Sequence, residues 1–279
     1  MYASYYYVAG ASATDVLNDI VAILTGTTDV NALSQSCDKS LTQIRTTYSQ
    51  AGWTLVASPT STRRVLSAPI STIPTRNKFV RLDVDNTAYL RLSVMRNYTT
   101  TEVGLYTATD VFQQRLNLTA GGRMDIYADS KTLLLFSYQS GSFGNSSVNG
   151  ITGVVEVEKD ASKIGHVVDL SYPVVCINPF LQITEVYNTS GTLQTTSWQS
   201  VSLSTKLSPT TFTYNNNNYA QIVPMYFAAS PYCLDCLSDV FFIPNNYGAI
   251  FDTLVWNNKT WVIWGGITNS GQRTIVPYG

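Results

Sequence analysis

The chain has 279 residues, of which 44% are hydrophobic and only 13% are charged, about half the roughly 25% that soluble globular proteins carry. Its 17 basic and 18 acidic residues give a net charge of −1, which argues against a nucleic-acid binder with clustered Lys and Arg. No apolar run reaches the roughly 18 residues of a membrane span, and the first residues lack the basic start of a secretory signal, so we predict neither membrane anchoring nor secretion.

A helical hairpin is predicted at the start of the chain. The first helix covers residues 12–26, with Thr14 as its N-cap and Gly26 at its end, and the second covers residues 31–48. Each has an apolar stripe that needs a third surface, which is either the chain's own β lobe or a neighbouring subunit. We predict that residues 1–52 are a docking segment. Its predicted assembly interface is Leu17, Ile20, Val21, Leu24, Leu33 and Ile44.

From Trp53 onward the hydrophobic period changes to two, which is typical of β-strands. Residues 79–84 and 88–94 flank a turn at Asp85-Asn86 and predict a hairpin. Further strands follow to residue 158, among them 124–127, 132–138 and 153–158. This pattern predicts an antiparallel first β lobe at residues 53–162.

A second β lobe is predicted for residues 163–279. It ends in a hairpin in which Thr253–Trp256 and Trp261–Trp264 flank Asn257-Asn258. Aromatic residues that pair across such strands stabilise them, so Trp256 and Trp261 are interpreted as packing rather than as a sugar platform. The predicted fold is mainly β, with two antiparallel β lobes, sandwich or barrel-like, and an N-terminal helical hairpin.

The cysteines give no clear metal or redox motif. Cys233 and Cys236 form a C-x-x-C, but the other ligand types are single and scattered, whereas a structural zinc uses four. A thioredoxin-like motif opens a helix after a buried strand, and this one follows Ser230-Pro231 in a stretch typical of a loop. A disulfide between Cys233 and Cys236, or one between subunits, stays open.

No sequence motif indicates a particular enzymatic reaction. His166 is the single histidine, and it stands without the G-x-S-x-G context of a serine hydrolase. Glu156 and Glu158 share a strand face, which would suit a hydrolase acting on sugars only within a cleft that raises one carboxyl pKa. We predict no catalytic, cofactor-binding or metal-binding residue, no cofactor and no enzymatic activity.

Three stretches resemble virion structural proteins of tailed bacteriophages: residues 7–26, residues 127–156 and the ending Arg273–Gly279. The resemblance covers about a third of the chain and carries no catalytic motif. It implies a subunit made in the host cytoplasm and located in the virion, where it forms a symmetric homo-oligomer with itself and with other virion proteins. Two linked lobes with an assembly arm suit a tail, baseplate or neck component better than a capsid decoration.

The alternative function is a receptor-binding or carbohydrate-binding fibre or decoration module with exposed Tyr and Trp. The exposure of Trp256, Trp261 and Trp264 separates the two functions. A shared, exposed, shallow groove would favour the binding module, whereas burial between sheets would favour assembly.

Overall fold

Most of the residues that the structure describes are in extended strands, as the alternation of apolar and polar residues predicts. The computed structural model describes residues 1–69, 79–84, 89–105, 113–130, 132–138, 150–156, 174–177, 183–187, 202–204, 211–214, 217–229, 232–244, 246–265 and 272–279. The elements of the first part are β1 (Tyr2–Tyr7), α1 (Ala13–Leu24), a 3-10 turn (Val30–Ala32), β2 (Gln43–Arg45), β3 (Thr54–Thr60), β4 (Arg63–Ser67), β5 (Phe79–Val84), β6 (Tyr89–Tyr98), β7 (Glu102–Leu105), β8 (Gln113–Arg115), β9 (Gly122–Ala128), β10 (Thr132–Tyr138) and β11 (Gly150–Glu156). Those of the second part are β12 (Val174–Ile177), β13 (Ile183–Tyr187), β14 (Ser202–Ser204), β15 (Thr211–Tyr214), β16 (Asn217–Ala220), β17 (Val223–Ala229), β18 (Tyr232–Pro244), β19 (Thr253–Trp256), β20 (Lys259–Trp264) and β21 (Gln272–Pro277).

The strands form three large antiparallel sheets. Sheet A has the order β13-β12-β11-β10-β9-β1-β2. Sheet B has the order β3-β4-β5-β6-β7, with β8 also paired to β6, and sheet C has the order β14-β17-β18-β21-β20-β19. Strands β15 and β16 pair only with each other among the described strands. The prediction of a mainly β, antiparallel fold is confirmed, and the layers stack as open sheets rather than closing into a barrel.

Sheet A is the middle layer. On one face, Tyr5 and Ile126 belong to a large core that also contains helix α1 and apolar residues of sheet B, such as Leu82. On the other face, Phe136 stacks on Trp264 of sheet C, with ring centroids 5.5 Å apart. Because side chains alternate across a strand, strands β9 and β10 of sheet A supply residues to both sides.

Helix α1 is confirmed, and its N-cap is Ser12 rather than Thr14. The Ser12 hydroxyl accepts a hydrogen bond from the Asp15 backbone N–H at 3.4 Å. At the other end, Gly26 takes a φ of +108°, a conformation that glycine adopts without strain.

The predicted second helix over residues 31–48 is wrong. This stretch contains the short 3-10 turn and strand β2, and it holds no α-helix. Ser34 and Ser36 use their hydroxyls to bind Asp19 and Asp15 of helix α1, at 2.8 and 2.9 Å. Such side-chain bonds compete with a helix, and β1 offers β2 a pairing partner, so tertiary contacts override the apolar spacing.

The predicted domain boundaries do not follow the sheets. Residues 1–52 are not a separate docking segment, because β1 lies between β9 and β2 in sheet A. The boundary at residue 163 falls within sheet A, because β12 and β13 continue it beyond β11. Pairings between distant parts of a chain leave no local signal in the sequence.

The two predicted hairpins are confirmed, and the consecutive strands predicted near 124–127 and 132–138 also pair with each other. Strands β5 and β6 pair with Val84 opposite Leu90. Strands β9 and β10 pair with Ala128 opposite Leu133, and β19 and β20 pair with Trp256 opposite Lys259. Local pairs like these are encoded within about ten residues, which explains why the pattern locates them.

Two glycines with the same φ of +78° allow a matched test of packing at the end of sheet A. A Cβ at Gly121 would lie 2.7 Å from the Tyr7 carbonyl oxygen, whereas a Cβ at Gly10 would meet nothing within 4 Å. We expect Gly10→Ala to cost about 1 to 2 kcal/mol for the left-handed backbone, and Gly121→Ala to cost more because the backbone must also move. Denaturant unfolding of both variants measures this, and equal losses would contradict the close approach.

Candidate functional site

Five of the six residues predicted as an assembly interface are buried inside the chain. Leu17, Ile20, Val21, Leu24 and Leu33 are all at most 5% exposed, and they belong to the core between sheets A and B. Ile44 is half-buried and packs against the same core. The chain's own sheets therefore cover the apolar stripe of helix α1, and these side chains are not available to a neighbouring subunit.

The C-x-x-C lies in a strand and not in the predicted loop. Cys233 is opposite Ala228 and Cys236 is opposite Tyr226, in the pairing of β17 with β18. The pairing shifts register between these two positions. The side chains of both cysteines lie outside the described residues, so the disulfide stays a prediction.

Among the residues with described side chains, one candidate contact surface is β19, one of the two outer strands of sheet C. It is joined to β20 by Asn257 and Asn258, whose φ angles are +51° and +57°. Two left-handed residues make the turn that matches the twist of a hairpin, and asparagine tolerates this conformation. The turn holds β19 at the end of its sheet, where β20 is its one neighbour among the described strands.

Aromatic packing fixes the outer face of this hairpin. Trp256 and Trp261 have ring centroids 5.4 Å apart, and Phe241 contacts both edge-on at 5.0 and 5.3 Å. The Trp261 indole N–H donates to the Trp256 carbonyl oxygen at 2.9 Å. The interpretation of these two tryptophans as cross-strand packing is confirmed.

A groove lies against β19. Its cavity volume is about 500 Å³, and all four residues of β19 line it, together with Ile243 of β18 and Ile263 of β20. Tyr219 and Tyr247 also line it, and Asp252 is the one carboxylate among its lining residues. The Asp252 carboxylate already accepts the Ala249 N–H at 2.6 Å. The groove therefore has a mixed lining of apolar, aromatic and polar groups, with little charge.

Val255 is the most exposed apolar residue of this strand. Its side chain is 79% exposed, and its neighbours along β19 are Leu254 and Trp256, both half-buried. Soluble proteins usually protect such an edge with Lys, Pro or a bulge. The strand Thr253–Trp256 carries no charged residue, a signal that is present in the sequence but was not used in predicting the assembly interface.

A second edge, β3, has similar chemistry. It ends sheet B, carries no charge, and exposes Leu55 and Val56 by 43% and 41%. It differs from β19 in two respects, because its pairing with β4 shifts register and it contains Pro59. Register shifts and proline both protect an edge from pairing, so β19 is the more open of the two.

A fully buried carboxylate with described surroundings lies elsewhere, between sheets A and C. The Asp125 carboxylate is fully buried and accepts hydrogen bonds from Tyr2 at 2.5 Å, from the Trp264 indole at 3.0 Å, and from Arg123 at 2.5 and 3.0 Å. Arg123 also donates to Tyr6 at 2.8 Å. We call this group of five side chains the interlayer centre.

The electrostatics of the interlayer centre indicate a structural role. Burial raises the pKa of the Asp125 carboxyl, and the Arg123 guanidinium opposes that shift. Burial also raises the pKa of the Tyr2 hydroxyl well above its usual value, so this hydroxyl remains a donor. Both oxygens of Asp125 have donors at hydrogen-bond distance, so the carboxylate has no free position toward a substrate.

The tryptophans do not share an exposed groove. Trp264 is buried between sheets A and C, Trp261 is 2% exposed on the outer face of sheet C, and Trp256 is half-buried at the groove. His166 and Glu158 lie outside the described residues, and Glu156 is the last residue of β11.

The described residues contain no cluster of three or more His, Cys, Asp or Glu placed to hold a metal ion. Within the same part of the chain, none of the helical segments has the length and apolar character needed to cross a membrane. No protein-family model matches the chain, and a search of curated proteins finds none similar to it.

Proposed function

We propose that this chain is a non-enzymatic structural subunit of a bacteriophage particle and that it assembles symmetrically in a tail, baseplate or neck substructure. The observation that carries the proposal is the exposed, uncharged edge of β19, with Val255 79% exposed beside a groove of little charge. An edge of this kind is a template for pairing with another chain. Residues 7–26 resemble virion proteins of tailed bacteriophages, and this resemblance is the reason for proposing a phage particle.

Two further features support a structural role. The buried Asp125 carboxylate, paired with Arg123 on the same strand, joins sheet A to sheet C through the Trp264 indole N–H, and both of its oxygens accept hydrogen bonds. Only 13% of the residues are charged, and the net charge is −1, which gives the isolated chain little electrostatic protection against association. Assembly through β19 replaces assembly through helix α1, whose apolar stripe is covered.

The proposal is tested by measuring the mass of the purified full chain by light scattering and by immunogold labelling of phage particles that contain it. We expect a regular oligomer, and label at a tail, baseplate or neck. A stable monomer over the whole accessible concentration range, together with particles that carry no label, would overturn the proposal.

One observation favours a second function, a carbohydrate-binding or receptor-binding module. Three aromatic residues, Tyr219, Tyr247 and Trp256, line the groove beside β19, and aromatic rings are common contacts for sugars. If the groove binds a glycan, Trp256→Ala should abolish binding on a glycan array, whereas Trp264→Phe, which changes a buried tryptophan away from the groove, should not. An array with no binding by the unmodified chain would exclude this function for the glycans present.

A further inference from the structure

The hydrogen bonds between β19 and β20 show which backbone groups of β19 face away from β20. The Ile263 N–H donates to the Asp252 carbonyl oxygen at 2.9 Å. Bonded pairs alternate along an antiparallel ladder, so Leu254 and Trp256 also bond to β20. Thr253 and Val255 therefore direct their N–H and C=O groups away from the sheet.

We propose that β19 pairs antiparallel with β19 of a second copy of this chain, about a two-fold axis at Leu254. This inference rests on the proposed function, because it names the contact through which the subunits assemble. The axis places Thr253 of each copy opposite Val255 of the other, so the outward N–H and C=O groups of both residues are bonded. Sheet C then continues from one copy into the next.

The register follows from two conditions. Residues directly opposite each other in an antiparallel pair lie on the same face, and Thr253 and Val255 share a face of β19 whereas Leu254 lies on the other. Bonded pairs must also fall on the residues with open backbone groups. An axis at Val255 would pair Thr253 with Asn257, which is in the left-handed turn, so the axis at Leu254 keeps the ladder within the strand.

The chemistry of the edge favours a second copy as the partner. Because β19 carries no charge, self-pairing brings no like charges together, and the exposed side chain of Val255 is covered by Thr253 of the second copy. On the outer face, Leu254 meets Leu254 of the second copy at the groove.

The size of the contact sets its strength. Three residues of each strand are paired and span only about 10 Å, and the area they bury is well below the roughly 1,600 Å² of a standard interface. The pairing should therefore be weak between two chains in solution. In a particle it would stabilise the assembly because the same contact occurs many times.

The test uses the full chain and a matched pair of variants. Val255→Lys places a charge on β19, and Val56→Lys places the same charge on a second uncharged edge, β3. Sedimentation velocity over a range of concentrations measures assembly, and circular dichroism checks that each variant is folded. We expect Val255→Lys to raise the concentration at half-assembly at least tenfold and Val56→Lys to leave it unchanged. Equal effects of the two variants, or no effect of Val255→Lys, would overturn the proposal.

A charge-swap variant tests the register. In the double variant Thr253→Glu with Val255→Lys, the introduced carboxylate of one copy faces the introduced ammonium of the other. We expect assembly to return toward that of the unmodified chain. A double variant that assembles no better than Val255→Lys would exclude the axis at Leu254.

Hydrogen exchange of the unmodified chain gives an independent readout. The amides of Thr253 and Val255 should exchange fast in the monomer and slowly in the oligomer, while those of Leu254 and Trp256 should be slow in both. An oligomer in which Thr253 and Val255 remain fast would exclude this contact while leaving the proposed function intact. A chain that never oligomerises and is absent from particles would exclude both.

Discussion

Replacing Asp125 with asparagine is expected to lower the free energy of unfolding by about 3 to 5 kcal/mol, the usual effect of removing one partner of a buried ion pair. The substitution leaves the Arg123 guanidinium, with its side chain 13% exposed, without a counter-charge. The new amide also brings an NH₂ group to a position surrounded by donors from Arg123, Tyr2 and Trp264. Denaturant unfolding of the full chain measures the loss.

An exposed ion pair provides the matched control. Lys259 and Asp239 are 3.1 Å apart, with side chains 37% and 33% exposed. Asp239→Asn should change the free energy of unfolding by no more than about 1 kcal/mol, because solvent screens such a pair. If both substitutions had similarly small effects, the interlayer centre would not hold sheets A and C together.

The interlayer centre also explains why sheet C does not behave as an independent lobe. Trp264 comes from β20, whereas Asp125 and Arg123 come from β9, more than a hundred residues earlier in the chain. Arg123 extends over the Phe251 ring, 3.4 Å from its centroid, and so contacts sheet A and the loop before β19 at once. The edge that we propose as the assembly contact is thus anchored to the middle layer of the molecule.

The fold class and the hairpins could be predicted from the sequence because their signals are local. Alternation and a two-residue turn such as Asn257-Asn258 define two strands and their register within a short stretch. The pairing of β1 with β9 joins residues about 120 positions apart, and no periodic pattern in the sequence indicates this pairing. The same limit applies to the interlayer centre, whose members look like ordinary strand residues in the sequence.

The candidate site could be predicted only in part. Uncharged residues at Thr253–Trp256 and Thr54–Thr60 are visible in the sequence, but whether a strand is central or terminal depends on the sheet order. The apolar stripe of helix α1 was correctly recognised, but its partner was not. A periodic stripe shows that a face is buried and does not show whether the covering surface belongs to the same chain.

Replacing Leu17 with alanine tests whether helix α1 is covered by its own chain or by a neighbouring subunit. Leu17 is fully buried in the core between sheets A and B, so we expect the free energy of unfolding of the monomer to fall by about 2 to 5 kcal/mol. Leu41 lies in the same N-terminal part of the chain and is 52% exposed. Leu41→Ala should therefore change the free energy of unfolding by no more than about 0.5 kcal/mol. Thermal or denaturant unfolding of both variants at low concentration measures the difference.

Removal of residues 1–50 should have a larger effect than either substitution. It deletes strands β1 and β2, which end sheet A beyond β9, together with the helix that fills the core against this sheet. We expect the truncated chain to lose its cooperative unfolding transition. If it instead remained folded and Leu17→Ala left the monomer as stable as Leu41→Ala does, helix α1 would be free of the core, and the docking role first predicted for residues 1–52 would be restored in place of the β19 edge.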